Sequence, residues 1–326
     1  MPKERYYAGS TEDDGADAEV IGGRRRGGQR VGQRPKGDAG RLLAELAGMT
    51  DQEAGFTTTY TPARFEEGWL LSSLRFFYDQ QMITDVLAQV KGGKEANVYR
   101  CAGHVMTGQT LLAAKVYRPR QFRNLRNDKM YREGRVVLTA EGRAVKATDQ
   151  RIMRALGKKT AFGEQVQHTS WLMYEYTTLE RLYAAGAAVP RPFAAAENAI
   201  LMGYVGDARG AAPALHAVSL EPAEAGALFE ETLRNIELML QHGLIHGDLS
   251  PYNVLYWEGR LTLIDFPQVT SSATNPHARD ILARDVTRMC DYFQREGVDC
   301  DAEEISDDLW ARYGVEPEPL EIEERV

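Results

Sequence analysis

Cysteine is scarce in this 326-residue chain: Cys101, Cys290 and Cys300 lie far apart and no C-x-x-C pair occurs. That excludes a disulfide framework and offers no zinc signature, so a reducing cytoplasmic compartment is the simplest expectation. No apolar run is long enough to span a bilayer and the start does not read as a signal peptide, so no membrane partner is expected. The P-loop spacing G-x-x-x-x-G-K-[ST] is missing. The net charge of −8 does not by itself suggest nucleic acid.

The charge is unevenly spread. Residues 22–36 carry Arg24, Arg25, Arg26, Arg30, Arg34 and Lys36 among glycines with no acid, and residues 1–60 show little apolar periodicity. This reads as a disordered basic tail. A second basic stretch, 119–164, includes Arg120, Arg123, Arg126, Lys129, Arg132 and Arg135, one cation every third residue. On a helix these make a positive ribbon, suited to RNA phosphates or an acidic protein, or equally a solvated face or a loop over the chain's own acidic end. Residues 301–326 read as an acidic C-terminal tail, with a helical portion around Ile305 to Tyr313.

The richest stretch is 244–268. It reads Leu-Ile-His-Gly-Asp-Leu-Ser-Pro-Tyr-Asn-Val-Leu, then Tyr-Trp-Glu-Gly-Arg, then Leu-Thr-Leu-Ile-Asp-Phe-Pro-Gln. It places Asp248, Asn253 and Asp265 on two turns joined by an apolar hairpin. Phosphoryl transfer of the kinase kind needs one carboxylate to orient a hydroxyl, and an Asn and a second Asp to hold Mg²⁺ on the phosphates. His246, Asp248 and Asn253 follow the H-x-D-x-x-x-x-N spacing. An Asp in a turn is commonly only a turn former, but here type and spacing agree at four positions. The loop alone does not separate protein kinases from small-molecule phosphotransferases.

Upstream, Lys91-Gly92-Gly93-Lys94-Glu95-Ala96-Asn97-Val98-Tyr99 lies between two strand-like runs. Glycines let backbone N–H groups approach phosphates, although Gly-Gly is also an ordinary hairpin turn. Next comes Leu111-Leu112-Ala113-Ala114-Lys115-Val116-Tyr117, an apolar strand with one lysine. A buried ammonium must be paired; on an edge strand it would simply face water. The partner is findable: Trp171, Leu172, Glu175, Leu179 and Leu182 form a helical stripe in which Glu175 is the one acid. Glu180 faces another side.

On these residues the chain resembles the RIO family of atypical serine/threonine protein kinases, most like its first-described branch and like a prokaryotic member. The pieces are Gly93-Lys94-Glu95-Ala96-Asn97-Val98-Tyr99, Ala114-Lys115-Val116-Tyr117, Trp171-x-x-x-Glu175-x-x-x-Leu179, His246-x-Asp248-Leu249-Ser250-x-Tyr252-Asn253 and Ile264-Asp265-x-x-Gln268, with Asn275-Pro276-His277-Ala278 and Arg284-Asp285-Val286 beyond. The resemblance implies a reduced two-lobed kinase fold, Mg-ATP binding (Mn²⁺ as an alternative metal), and seryl phosphorylation or ATP hydrolysis through an aspartyl-phosphate on Asp265. It also implies a phosphate loop without the usual three glycines and no activation segment, and no Ala-Pro-Glu follows Asp265. Pro251 stands where the family commonly has an acid. The segment between Lys115 and Glu175 is longer than usual.

The expected fold is α+β: an N-lobe of antiparallel sheet with one main helix, and a mostly helical C-lobe. Residues 1–60 form the tail, 61–204 the N-lobe with its basic insertion, 205–300 the C-lobe and 301–326 the acidic tail. A helix is expected at 62–77, strands near 82–91, 95–101, 110–117, 192–197 and 199–204, and helices at 166–186, 221–242 and 278–295. Gly93, Lys94, Glu95, Ala96, Val98 and Lys115 are the expected phosphate-side contacts of ATP, and Met202, Tyr204 and Val205 the adenine hinge. Asn253 and Asp265 are the expected metal ligands, and Asp248, Asp265, Lys115 and Glu175 the catalytic set. The acceptor is an unidentified protein or the chain itself. The alternatives are an aminoglycoside- or choline-type phosphotransferase and a nucleotide-binding scaffold without catalysis. The Lys-Glu-Ala-Asn-Val-Tyr loop, Gln268 and the small C-lobe argue against the first, and the filled catalytic positions against the second.

Overall fold

Strand alternation in residues 111–117 organises the upper half of the molecule. In the computed structural model, Leu112, Ala114 and Val116 face one way, into an apolar core with Leu70, Leu74 and Phe77 of a helix at Glu67–Asp79 (α1). Lys115 and Tyr117 face the other way, towards a long helix and the cleft. A period of two sends alternate side chains to opposite faces, which is how one polar residue can sit in an otherwise apolar strand. The structure describes residues 56, 58–63, 66–93, 95–118, 135–146, 148–158 and 160–314, and these lie within one compact unit, Leu43–Val326.

The N-lobe sheet contains β1 (Ile83–Gly92), β2 (Ala96–Gly103), β3 (Leu111–Tyr117), β4 (Pro192–Ala195) and β5 (Ala199–Gly203), in the order β1-β2-β3-β5-β4 with every neighbouring pair antiparallel. Lys115 pairs with Val98 on β2 and Ile200 on β5, so it lies on the central strand. Between β3 and β4 run a short helix, α2 (Gln150–Gly157), and the long α3 (Ala161–Ala184). Asp149 caps α2 by accepting from the Ile152 N–H at 3.2 Å, and Thr160 caps α3 by accepting from the Gly163 N–H at 3.1 Å. A Cβ at Gly163 would stand 2.1 Å from the Ala155 carbonyl oxygen, so glycine permits the close crossing of α2 and α3.

The C-lobe is built on α4 (Pro222–Gln241) and α5 (Ala278–Arg295), with the small pairs β6 (Leu244–Ile245) with β9 (Thr270–Ser271) and β7 (Val254–Trp257) with β8 (Arg260–Leu263). Glu258 and Gly259 close the β7–β8 turn, both with positive φ. A last helix, α6 (Ala302–Tyr313), buries Leu309 and Trp310 in the same core as Phe229, Met289 and Phe293. The expected tail boundary at residue 300 thus falls between two elements of one core, because the acids of α6 lie around an apolar stripe. Residues 1–55, 119–134, which hold most of the basic ribbon, and 315–326 lie outside the described residues, and the tail expectations fall there. Among the described residues, no helix is long and apolar enough to cross a membrane.

Candidate active site

A cleft of about 600 Å³ separates the two lobes. Gly93, Glu95, Ala96, Val98, Lys115 and Glu175 line it from the sheet side; Met202, Gly203, Tyr204 and Val205 line it at the interlobe strand; Asp248, Tyr252, Ile264 and Asp265 line it from below. The expected site residues are therefore brought together, apart from two. Lys94 lies outside the described residues, and Asn253 sits beside the cleft behind Asp248.

Lys115 Nζ lies 2.5 Å from Glu175 Oε1 and 2.6 Å from Asp265 Oδ1. Lys115 and Glu175 are 8% and 4% exposed, so the pair that the strand and helix patterns demanded is a buried one. Burial pulls the Lys115 ammonium down, but Asp265 and Glu175 together hold it well above its usual value. Burial lifts the Asp265 carboxylate, and Lys115 overrides this and leaves it lowered. The Tyr117 hydroxyl donates to Glu175 Oε2. Burial and that carboxylate drive the phenol well upward, so it remains a donor. Tyr117 is a site residue that sequence reasoning left unassigned; its place two residues after Lys115, on the same face of β3, was the available signal.

The β1–β2 turn closes tightly. The Gly93 N–H donates to the Ala96 carbonyl at 3.0 Å, and a Cβ at Gly93 would stand 2.7 Å from that oxygen. Asn97, buried just after the turn, donates to the Tyr99 hydroxyl at 2.9 Å and accepts from Arg118 Nη2 at 3.0 Å. The turn is thus anchored by side chains as well as by the ladder. At the other end of the cleft the Val205 carbonyl accepts from the Ala212 N–H at 3.0 Å, which fixes the chain as it leaves β5.

The lower loops are held from within. His246 is buried, and burial lowers its pKa. Its Nδ1 accepts from the Asp248 N–H at 3.3 Å, which leaves the Nε2–H, 3.2 Å from the Ile264 carbonyl, as the donor. His246 therefore ties the Asp248 loop to the strand end that delivers Asp265. Gly247 (φ 83°) has no room for a side chain: a Cβ would stand 2.3 Å from the Gln268 carbonyl oxygen. Asn253 Nδ2 donates to the Asp248 carbonyl at 2.9 Å and to its Oδ2 at 3.0 Å. With the amide nitrogen engaged, the Asn253 Oδ1 is the atom left for a cation. Asp265 has φ 72°, uncommon for a residue with a side chain, and 42% of its side chain is exposed. One amide oxygen and one carboxylate of this kind suit a hard divalent ion such as Mg²⁺, which binds few protein oxygens and keeps water or phosphate in its other positions. Among the described residues no group of three or more His, Cys, Asp or Glu is placed to hold a metal.

Two further supports came from outside the expected set. Asp285 of α5 accepts from the Gly247 N–H at 2.7 Å, and burial raises its carboxyl to about 7. Arg135, the last of the six regularly spaced cations in the basic insertion, donates to the Pro267 and Val269 carbonyls at 2.7 and 2.5 Å and covers the Tyr174 ring at 4.6 Å. It joins the insertion to both the Glu175 helix and the loop after Asp265.

A family model for the RIO domain matches residues 97–305. The chain belongs to the RIO family. A RIO-type serine/threonine-protein kinase Rio1 from Haloferax volcanii is 32% identical over 219 residues, 66% of either chain. The serine/threonine-protein kinase RIO1 of Chaetomium thermophilum is 30% identical over 234 residues, 68% of this chain and 41% of that one. The chain thus spans about two thirds and two fifths of these two relatives' lengths. Among solved structures, the Rio2 kinase in an ADP/Mg²⁺-phosphoaspartate complex from Chaetomium thermophilum superposes with a TM-score of 0.51 at 20% identity, over 84% of this chain and 77% of that one. The likeness shows the kinase-like fold, with its antiparallel N-terminal sheet and helical C-terminal part.

Proposed function

We propose that this chain is an ATP-dependent phosphotransferase, a RIO-type serine/threonine protein kinase or ATPase that works with Mg²⁺. One observation carries the reading: Lys115 is bonded at once to Glu175 and to Asp265, across the cleft that Asp248 also lines. A lysine tying the sheet-side pair to the carboxylate of the lower loop has the arrangement that phosphate binding requires, and such a charge set would be an expensive choice for structure alone. The family membership supports the same reading.

In this reading Gly93, Glu95, Ala96 and Val98 face the phosphates, and Met202, Tyr204 and Val205 face the adenine. Asn253 and Asp265 hold the metal, which supplies charge neutralisation at the phosphates when bound. Asp248 accepts the proton-bearing end of the attacking hydroxyl. Asp265 supports a second route, favoured by the phosphoaspartate in the similar Rio2 structure. Its carboxylate oxygen attacks the γ-phosphorus, the bond to the β–γ bridging oxygen breaks, ADP leaves, and water later cleaves the acyl phosphate.

Incubation with γ-labelled ATP and Mg²⁺ tests the reading. Label released by hydroxylamine and lost in Asp265→Asn supports the aspartyl route; hydroxylamine-stable label on Ser or Thr supports seryl transfer. Turnover that appears only with an aminoglycoside or choline overturns the protein-kinase assignment. Adding RNA or ribosomes to the same assay tests a nucleic-acid role for the basic segments.

A further inference from the structure

Helix α5 reaches the catalytic loop at three points. Asp285 accepts from the Gly247 N–H at 2.7 Å, Arg284 donates to the Gly247 carbonyl, and Arg288 Nη1 lies 2.8 Å from Asp248 Oδ1. The first two hold backbone. The third holds the side chain that the proposed reaction uses.

The Asp248 carboxylate is thereby gripped on both oxygens, by Arg288 on Oδ1 and by the Asn253 amide on Oδ2 at 3.0 Å. Donors from two separate elements fix its plane as well as its position. The loop from His246 to Asn253 contains no lysine or arginine, so a cation beside Asp248 has to come from elsewhere in the fold. Stability does not explain the pair. Arg288 and Asp248 side chains are 39% and 37% exposed, and ion pairs so exposed contribute little to folding. Orientation does explain it, because transfer depends on the carboxylate meeting the hydroxyl in a narrow range of geometry. A carboxylate offers about four acceptor positions, so Arg288 and Asn253 leave room for the hydroxyl.

We propose that Arg288 is a positioning residue for phosphoryl transfer: it orients Asp248 towards the attacking hydroxyl or water without itself binding nucleotide. The inference rests on the reading of Asp248 given above.

The test uses the full chain with Arg288→Ala, Arg288→Lys and an Arg288→Ala/Asp248→Asn double variant, measuring ATP turnover and ADP affinity. Arg288→Ala should lower kcat about tenfold or more while KM for ATP and ADP affinity stay within about twofold. Guanidinium at millimolar concentration, against NaCl of equal ionic strength, should restore turnover several-fold in Arg288→Ala and not in the double variant. Arg288→Lys, a point charge without the planar fork, should fall between. Turnover of Arg288→Ala within about twofold of wild type, or a loss that guanidinium does not relieve, overturns the proposal. Should Arg288→Ala not fold, Arg288→Lys decides: a lower kcat at unchanged KM supports the role, and an unchanged kcat overturns it. A wild-type protein without ATP turnover would instead sink the reading of Asp248, and this inference with it.

Discussion

On the sheet side of the cleft, Lys115 and Glu175 are almost wholly buried, and Tyr117 closes over them. On the loop side, Asp248 and Arg288 make an ion pair of similar length with more than a third of each side chain in solvent. The first pair has no water to fall back on, so either member alone is a buried, uncompensated charge. The second can be broken and rehydrated. Loss of the first pair should therefore cost fold and chemistry together, and loss of the second should cost chemistry alone.

The largest effect is expected from Lys115→Ala. It should destabilise the protein by about 3–5 kcal/mol in urea unfolding, by stranding Glu175, and reduce turnover by about a thousandfold. Glu175→Ala should do much the same. The double variant should be little worse than either single one, because the two act as a unit. If the double variant multiplied the two losses, the pair would not be a functional unit.

Asp248→Asn sharpens the contrast. Turnover should fall by about a hundredfold or more while nucleotide affinity survives and unfolding free energy moves by less than about 0.5 kcal/mol. A stability loss as large as that of Lys115→Ala would erase the difference between the two walls.

Tyr117→Phe should give a smaller defect of the upper kind, about 1.5–3 kcal/mol, since it removes a hydrogen bond to a charged partner. Calorimetric Tm is the readout, and an unchanged Tm would mean that Glu175 needs only Lys115.

The mildest expectation concerns pH. Asp285, raised to about 7 by burial, keeps its proton in the folded protein where the unfolded chain has already released it. Between its ordinary value and about 7, folding therefore takes up a proton, so this group's contribution to stability falls as pH rises through that window and levels off above it. The slope is at most about 1.4 kcal/mol per pH unit. Asp285→Asn should flatten that part of a Tm-against-pH curve, and an unchanged curve would put the proton elsewhere.

The chemistry was legible wherever a polar residue interrupted an apolar pattern. Lys115 in its strand and Glu175 in its helical stripe each announced a partner, and the structure joins them. Asp285 carried the same signal, an acid among the buried Ile281, Leu282, Val286 and Met289, and could have been read in the same way. Arg288 could not, because a half-exposed arginine on a helix is the commonest of surface residues and only the fold brings it to Asp248. The start of α3 was misplaced for a related reason. It begins at Ala161 rather than 166, since Thr160 and Gly163 look like a loop until Gly163 is seen to be where α2 crosses. The first helix begins at Glu67 rather than 62, where Glu66 instead closes a turn by accepting from the Ala63 N–H at 3.2 Å.

The missing side chain at Gly247 has a mechanical consequence. Because the loop that carries Asp248 and the loop that carries Asp265 touch backbone to backbone there, with His246 bridging them a residue earlier, neither can swing without the other. The floor of the cleft behaves as a single plate. Above it stands the five-stranded lobe, whose last strand leads into the cleft wall at Gly203 to Val205. The Lys115–Asp265 ion pair ties that floor to the central strand of the sheet above, so the plate is fastened to the roof as well as within itself.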